Sequence, residues 1–467
     1  STLDRSSAAS DVYKRQCQSW TVWTTSVATR AAPSVNESRK PPTMPDQVDV
    51  YYEGWGKRWR WGSLVSSTAI NGRPWIAFEY SDEALSRGLE LSAYALPLRG
   101  PKLRKDFPAH QLQLPGPVYD SLPDGWGMLL MDRLFKQRGL QAARIGPLER
   151  LTFIGDRAMG AMSYRPVAPD MSALPENIHL SELAAQAQAV LQGEGGAFLQ
   201  TLLQMGGSPQ GARPKALLYR DAVSGRFTTA EAPSLEPWLI KFPANGEHPE
   251  VCAVEAVYAQ CLRACGIATP DTEFFPLSNG QAAFAARRFD RKDGMRVPMQ
   301  SLAAFTGADY RTPGSLDCVN FLRATQLCTN DVRQKAIAFE RVVFNVAFNN
   351  RDDHPKNFSY LMSSAGAWTL APAYDVTFCD GPGGYHQMDV MGEALDVGRK
   401  QLLALGEQEA ELSRQAASAV IDRICHVASR FTAIATDLLP GHITANTLRS
   451  IQVQIDGNLH RLVSAAA

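Results

Sequence analysis

The stretch Asn349-Asn350-Arg351-Asp352-Asp353-His354-Pro355-Lys356-Asn357 is the densest polar run in the chain. It directly follows the apolar helical segment from Phe339 to Phe348 and directly precedes the strand-like segment from Phe358 to Met362. A loop this charged, clamped between two apolar elements, is not core. It is either a solvated connector, which needs nothing so specific, or a site. Lys356 is placed to reach a bound anion, and His354 to brace the loop.

The spacing favours a site. Phosphoryl transfer needs a carboxylate to orient the attacking hydroxyl and take its proton, and oxygen ligands for Mg²⁺. In the protein-kinase catalytic loop an Arg-Asp pair is followed, after four intervening residues, by Asn. Here Arg351-Asp352 leads to Asn357 at the same interval. Asp353 is the competing register but sits one residue closer to Asn357, so Asp352 is the preferred base and Lys356 a γ-phosphate contact. A second acid should close a nearby strand to hold the metal. Asp375 fits, after the strand-like Trp368 to Leu370 and the turn Ala371-Pro372-Ala373-Tyr374.

Two further parts belong upstream. Gly206-Gly207-Ser208-Pro209-Gln210-Gly211-Ala212-Arg213-Pro214-Lys215 is a Gly-rich run whose backbone N–H groups can face phosphate oxygens. Lys241 is a lone cation in the apolar strand Trp238 to Phe242. A buried Lys is costly without an anion, and Glu255 on the next helix is the candidate partner. Gly-rich loop, strand Lys, helix Glu, Asp-x4-Asn and strand-end Asp follow one another in kinase order.

The 467 residues carry 47 Lys+Arg against 47 Asp+Glu, a formal charge of zero that excludes a globally basic nucleic-acid binder. A chain of this length makes two or more domains. No run approaches the about 20 apolar residues of a membrane helix. None of the eight cysteines forms a Cys-x-x-Cys pair; Cys261 and Cys265, four apart, read as buried thiols rather than metal ligands. Cysteine usage without a visible secretory signal points to a reduced, cytoplasmic protein. Residues 1–43 lack sustained periodicity and read as a disordered tail or a sequencing artefact, Ser7 to Gln16 resembling adaptor read-through, with Met44 as the natural start.

Beyond the tail, strands are expected at Val48–Tyr52, Trp59–Val65 and Trp75–Tyr80. Asp124-Gly125-Trp126-Gly127 reads as a turn before a helix from Met128 to Gln137. A second helix is expected from Leu180 to Gln192, capped by Ser181. A βαβ-like stretch follows: strands Lys215–Tyr219 and Trp238–Phe242, helix Pro249–Cys265, and strands Thr272–Phe275 and Ala282–Arg288. Helices are expected over 314–328, 333–348, 408–430 and 444–464.

These residues resemble the HipA family of serine/threonine kinases, the toxins of type II toxin–antitoxin modules. The resemblance covers about residues 48–440. It is carried by Leu122-Pro-Asp-Gly-Trp-Gly127, Ile154-Gly-Asp-Arg-Ala-Met-Gly-Ala161, the Gly206 to Lys215 run, Arg288-Phe-Asp-Arg291, the Asp352 to Asn357 loop and Ala373-Tyr-Asp375. It implies an α+β, protein-kinase-like two-lobed fold: an N-terminal β-rich subdomain over 44–165, a kinase-like N-lobe with the Gly-rich loop over 166–290, and a helical C-lobe with the catalytic loop over 291–467. It implies ATP and Mg²⁺ as cofactors. Asp352 would be catalytic base, supported by Lys356 and His354, with Asn357 and Asp375 on the metal. Ser208, Gln210, Gly211 and Lys241 would lie against the phosphates, Arg287 and Phe289 at the adenine hinge, and Asp290 near the ribose. Ser208 falls where family members carry an inhibitory autophosphorylation serine, whose phosphate would add about −1.5 to −2 charge beside the nucleotide. The implied partners are a host protein phosphorylated on Ser or Thr, in the best-known relatives an aminoacyl-tRNA synthetase, and a HipB-like helix-turn-helix antitoxin with its operator DNA. The competing readings are a small-molecule kinase on the same scaffold, a non-catalytic co-repressor, and a metallohydrolase built on Asp352, Asp353 and His354.

Overall fold

The computed structural model describes residues 46–68, 74–167, 177–194, 196–206 and 209–463. The segment 1–43 and Ser208 lie outside the described residues.

Strands β1 (Gln47–Tyr52), β2 (Trp59–Thr68), β3 (Pro74–Tyr80) and β4 (Leu103–Arg104) open the chain. Helix α1 (Gly125–Gln137) and strand β5 (Met162–Arg165) follow. The five strands form one antiparallel sheet in the order β4-β3-β2-β1-β5. Along β1 the burial alternates, Val48, Val50 and Tyr52 pointing inward, as the period of a half-buried strand requires. The residues expected to be a turn before α1 are instead its first turn. Gly125, Trp126 and Gly127 are helical and Asp124 is the N-cap.

Helices α2 (Leu180–Leu191) and α3 (Leu199–Gly206) lead to a second sheet. The N-cap of α2 is His179, not Ser181, which lies inside the helix. Strands β6 (Lys215–Arg220), β7 (Phe227–Thr228) and β8 (Glu236–Lys241), helix α4 (Val251–Ala264), and strands β9 (Thr272–Pro276) and β10 (Ala282–Arg287) complete this unit. The order is β7-β6-β8-β10-β9 and every pairing is antiparallel. The βαβ-like reading is therefore corrected: β10 inserts between β8 and β9, so the strands joined by α4 never become parallel neighbours. Trp238 and Ile240 of β8, with Ala216 and Leu218 of β6, share one core with the first sheet and α1 to α3. Lys215 and Lys241 alternate onto the opposite face, beneath α4.

A short hairpin, β11 (Arg291–Lys292) and β12 (Met295–Arg296), and strand β13 (Met299–Ser301) enter the last third. Helices α5 (Cys318–Thr329) and α6 (Arg333–Ala347) precede β14 (Ser359–Met362) and β15 (Trp368–Leu370), which pair as β13-β14-β15. Helices α7 (Arg399–Gln408), α8 (Arg414–Ala428), α9 (Phe431–Leu438) and α10 (Ala445–Val463) close the fold. Helix α5 starts later than the periodicity suggests because Asp317 caps it, accepting the Asn320 N–H at 2.6 Å. The helix expected over 408–430 is interrupted: Glu411 adopts φ +57 and Ser413 caps a fresh start at α8. Its side chains, with α4 to α7, α9 and α10, build a second core that also takes in Phe358 and Tyr360. The fold is thus mixed α+β, with N-terminal sheets and a helical C-terminal region. Cys261 and Cys265 are fully buried in that second core, where burial raises both thiols well above their ordinary range.

Candidate active site

Across the β6–β8 ladder Lys215 and Lys241 are direct partners. Two cations facing each other on one sheet face repel, and both are nearly buried, at 4% and 7% exposure. The compensating charge comes from two other elements. Lys241 Nζ lies 2.7 Å from Glu255 Oε1 on α4. It also pairs with Asp375, beyond the end of β15. Arg213 holds the second Glu255 oxygen and reaches Glu247 at 3.2 Å. Burial works against the Asp375 charge, but Lys241 and Lys215 outweigh it and hold the carboxyl well below the usual carboxylate range. Lys215 has a poorer arrangement. Its ammonium donates to the Gln210 carbonyl, and burial pulls it down to about 8 despite the pull of Asp375.

The catalytic-loop candidate sits opposite this cluster. Helix α6 ends at Ala347, and Asn349, at φ +54, turns the chain back. Asn349 donates to Asp380 Oδ1 at 3.2 Å and accepts from Arg351 Nε at 3.1 Å, which locks the base of the loop. The two acids then part company. Asp353 is buried; it faces His386 Nδ1 at 2.8 Å and accepts the Gln387 N–H at 2.8 Å. Asp352 keeps a third of its side chain exposed and accepts one hydrogen bond, from Gln387 Nε2 at 2.7 Å. Burial pushes its pKa above the ordinary carboxylate range; His354 opposes this and Asp375 and Asp353 add to it. His354 Nε2 is 3.7 Å from Asp352 Oδ1, and its ring lies against Tyr310 at 5.5 Å. Its Nδ1 is buried without a hydrogen-bond partner.

Asn357 donates Nδ2 to the Asp352 carbonyl at 2.7 Å, so its side-chain oxygen is turned the other way. Tyr374, the neighbour of Asp375, binds the Lys356 carbonyl at 2.7 Å and Ser359 Oγ at 2.6 Å. These bonds tie the Asp375 turn to the Asn357 side of the loop. An amide oxygen and a part-exposed carboxylate are hard donors of the kind Mg²⁺ takes, with the remaining positions left for water and phosphate. This donor set fits the ion. Among the described residues, no group of three or more His, Cys, Asp or Glu side chains could hold a metal by itself.

The remaining residues singled out in the sequence divide. Lys356 is buried and pairs with Asp124 Oδ2 at 2.9 Å, its ammonium 4.0 Å from the Tyr310 ring centre. Gln210 and Gly211 are in the same neighbourhood, Gln210 Nε2 donating to Asp120 and Leu122 carbonyls at 3.0 and 3.3 Å. Phe289 packs on Tyr374 at 5.5 Å, next to Asp375. The Arg287 side chain is exposed and pairs with Glu236 at 3.3 Å and Asp271 at 3.5 Å. Asp290, which the resemblance puts near the ribose, is engaged within the protein. It is 1% exposed, and its carboxylate is consumed by Arg288 and Arg291 and by the Gly160 N–H, each at 2.9 Å. Three of these donors sit on Oδ2 and one on Oδ1, and the nearly complete burial of the group keeps it from an open nucleotide cleft; Asp290 bolts the first sheet's unit to the hairpin. Sequence reading also passed over Lys215, Asp124, His386 and Gln387. Lys215 and Asp124 lay inside quoted motifs, but nothing local reveals what they face. The bond from Gln387 to Asp352 bridges 35 residues and leaves no periodic trace.

Two family models match the chain. The HipA N-terminal domain covers residues 54–165, and the HipA-like C-terminal domain covers residues 207–431. The chain belongs to the HipA family. A curated relative, Toxin YjjJ of Escherichia coli, is 29% identical over 183 residues, which are 37% of this chain and 38% of that protein. The matched stretch thus spans well under half of that relative's length. Among solved structures, HipA of the Shewanella oneidensis toxin–antitoxin system, determined with HipB and its operator DNA, aligns at TM-score 0.64 and 17% identity. It covers 89% of this chain and 97% of that one. The likeness shows a HipA-like fold over 89% of the chain. The Helicobacter pylori proinflammatory kinase CtkA aligns over 50% of the chain and 89% of its own, at TM-score 0.37 and 14% identity, which carries no further weight. Among the described residues, no helix is long and apolar enough to cross a membrane.

Proposed function

We propose that this HipA-family chain is an ATP-dependent protein kinase that transfers the γ-phosphate to a Ser or Thr of a host protein, in the cytoplasm, as the toxin of a toxin–antitoxin pair. The observation that carries the reading is the convergence of Lys241, Glu255 and Asp375 from three elements, opposite a loop with one spent acid, Asp353, and one part-exposed acid, Asp352. Lys241 and Lys215 supply positive charge for phosphate oxygens. Asp352 is the base: its carboxylate orients an incoming hydroxyl and takes its proton, a contribution of about 10² to 10⁴ in rate. Its raised pKa suits it to accept that proton. Gln387 holds one oxygen of Asp352, leaving the other to the substrate. Asn357 and Asp375 would hold Mg²⁺, which neutralises charge on the phosphates when bound. Lys356 and His354 complete the loop, and Gln210, Gly211, Arg287 and Phe289 line the nucleotide's path. Ser208 is the proposed self-phosphorylation site.

The partners follow from the relative solved with HipB and operator DNA: a HipB-like antitoxin, and DNA through it. The test is transfer from γ-labelled ATP into proteins of a bacterial lysate, with Asp352→Asn as control. Label in one discrete protein band that the control lacks is expected. Label only in small molecules would overturn the protein-kinase reading. Phosphopeptide mapping of the chain after incubation with ATP tests Ser208; an unmodified Ser208 would remove the self-phosphorylation.

A further inference from the structure

The Gly-rich loop is not suspended freely over the nucleotide side. It is docked on the first unit of the molecule by four hydrogen bonds. Gln210 Nε2 donates to the Asp120 and Leu122 carbonyls at 3.0 and 3.3 Å. The Gly211 N–H donates to Asp124 Oδ1, and the Trp126 N–H donates to the Gly211 carbonyl at 3.1 Å. The approach is as close as backbone allows. Gly125 sits at φ +34, and a Cβ there would lie 2.6 Å from Ala212 Cα. Gly211 itself adopts φ +104.

Asp124 is the hub. While one carboxylate oxygen takes the loop N–H, the other takes Lys356 Nζ at 2.9 Å and the Tyr310 hydroxyl at 3.1 Å. Three donors thus converge on one acid, from the Gly-rich loop, the catalytic-loop candidate and the segment before α5. Burial works against the charge, but Lys356 and the Gly211 N–H prevail and hold the carboxyl down to about 2, so the acid is ionised at every physiological pH. Lys356 is confined further by the Tyr310 and Tyr119 rings, 4.0 and 5.1 Å from its ammonium. Asp124 lies within the stretch matched by the HipA N-terminal domain, whereas Gly211, Tyr310 and Lys356 lie within the C-terminal one.

We propose that Asp124 is a positioning residue of the active site, through which the N-terminal unit sets the position of the Gly-rich loop and of Lys356 together. The inference rests on the kinase reading for its kinetic consequence alone; the hold on the loop stands independently. Anything that shifts α1 then moves the Gly-rich loop and a catalytic-loop cation in concert, giving the N-terminal unit control over nucleotide handling without touching nucleotide.

Two variants of the full chain separate the arms. Asp124→Ala removes both. Asp124→Asn keeps an acceptor for the Gly211 N–H but presents an amide, not a charge, to Lys356. Backbone hydrogen exchange by mass spectrometry reads the loop, and steady-state phosphotransfer reads the reaction. In Asp124→Ala, exchange across 209–214 should accelerate about tenfold and KM for ATP should rise. In Asp124→Asn, loop exchange should stay near wild type, while exchange across 352–357 rises and kcat falls about tenfold. Unchanged exchange in both segments of both variants overturns the proposal. Should the alanine variant fail to fold, Asp124→Asn decides alone: unchanged exchange over 352–357 overturns the inference and faster exchange supports it. A wild-type chain that never turns over ATP defeats the kinase reading, and the exchange data still decide the fate of Asp124.

Discussion

Two of the clusters of buried charge among the described residues are built to opposite ends. At the junction of the first sheet's unit with the β11–β12 hairpin, Asp290 is matched by Arg288, Arg291 and the Gly160 N–H, all at 2.9 Å, with 1% exposure. Both oxygens are bonded, Oδ1 to one donor and Oδ2 to three. At the β6–β8 face, Arg213, Lys215 and Lys241 crowd around Glu247, Glu255 and Asp375. There Lys215 holds only a carbonyl, Asp375 and Asp352 each keep about a third of the side chain exposed (35% and 33%), and buried atoms of the facing loop, His354 Nδ1 and Asn350 Oδ1, go unpaired. The closed cluster is spent within the protein, whereas the open one keeps the capacity that the proposed nucleotide site needs. Charge density does not distinguish them; unspent hydrogen-bonding capacity does.

The comparison can be broken from either side. The largest effect is expected at the open cluster: Asp352→Ala should cut phosphotransfer about 10³-fold, with a melting temperature close to wild type because a part-exposed loop acid contributes little packing. Full activity in that variant would remove Asp352 from the reaction. The closed cluster should respond in the opposite sense. Asp290→Ala strands two buried guanidinium groups and should lower the free energy of unfolding by about 3 to 5 kcal/mol, measured by urea denaturation. Stability unchanged by that substitution would mean Asp290 is not the bolt described.

A smaller and sharper effect concerns Lys215. Burial leaves its ammonium at about 8, so it loses its proton as pH rises through that value. The charged form attracts phosphate and the neutral form does not. ATP affinity should therefore fall between pH 7 and about 9.5, and binding near pH 8 should take up a proton, visible by calorimetry in buffers of different ionisation enthalpy. Lys215→Met should weaken ATP binding about tenfold at pH 7 and abolish the slope; a slope that survives the substitution assigns it elsewhere. The smallest change is expected for Gln387→Leu. It deletes one hydrogen bond to Asp352, worth about 1 kcal/mol, and should lower kcat about fivefold with KM for ATP unmoved. Equal losses in kcat and ATP affinity would show a general loosening of the loop instead.

The chain order of amino acids was enough to locate most elements. Alternation placed β1, Pro249 and Gly266 bracketed α4, and spacing alone drew attention to Asp352, Asn357 and Asp375 as one set. Local propensity also sufficed to demand an anion for Lys241, because an ammonium in an apolar strand is intolerable by itself. Tertiary structure decided the rest. Pairing register, not periodicity, makes the second sheet wholly antiparallel and sets Lys215 opposite Lys241. The spending of Asp353 on His386 and Gln387, the consumption of Asp290 by two arginines, and the grip of Asp124 on a loop 87 residues away are contacts between segments remote along the chain. Local rules act over a few residues, through dihedral preference and capping. Whether an acid is free or used depends on which donors folding brings to its oxygens, and that is written only in three dimensions.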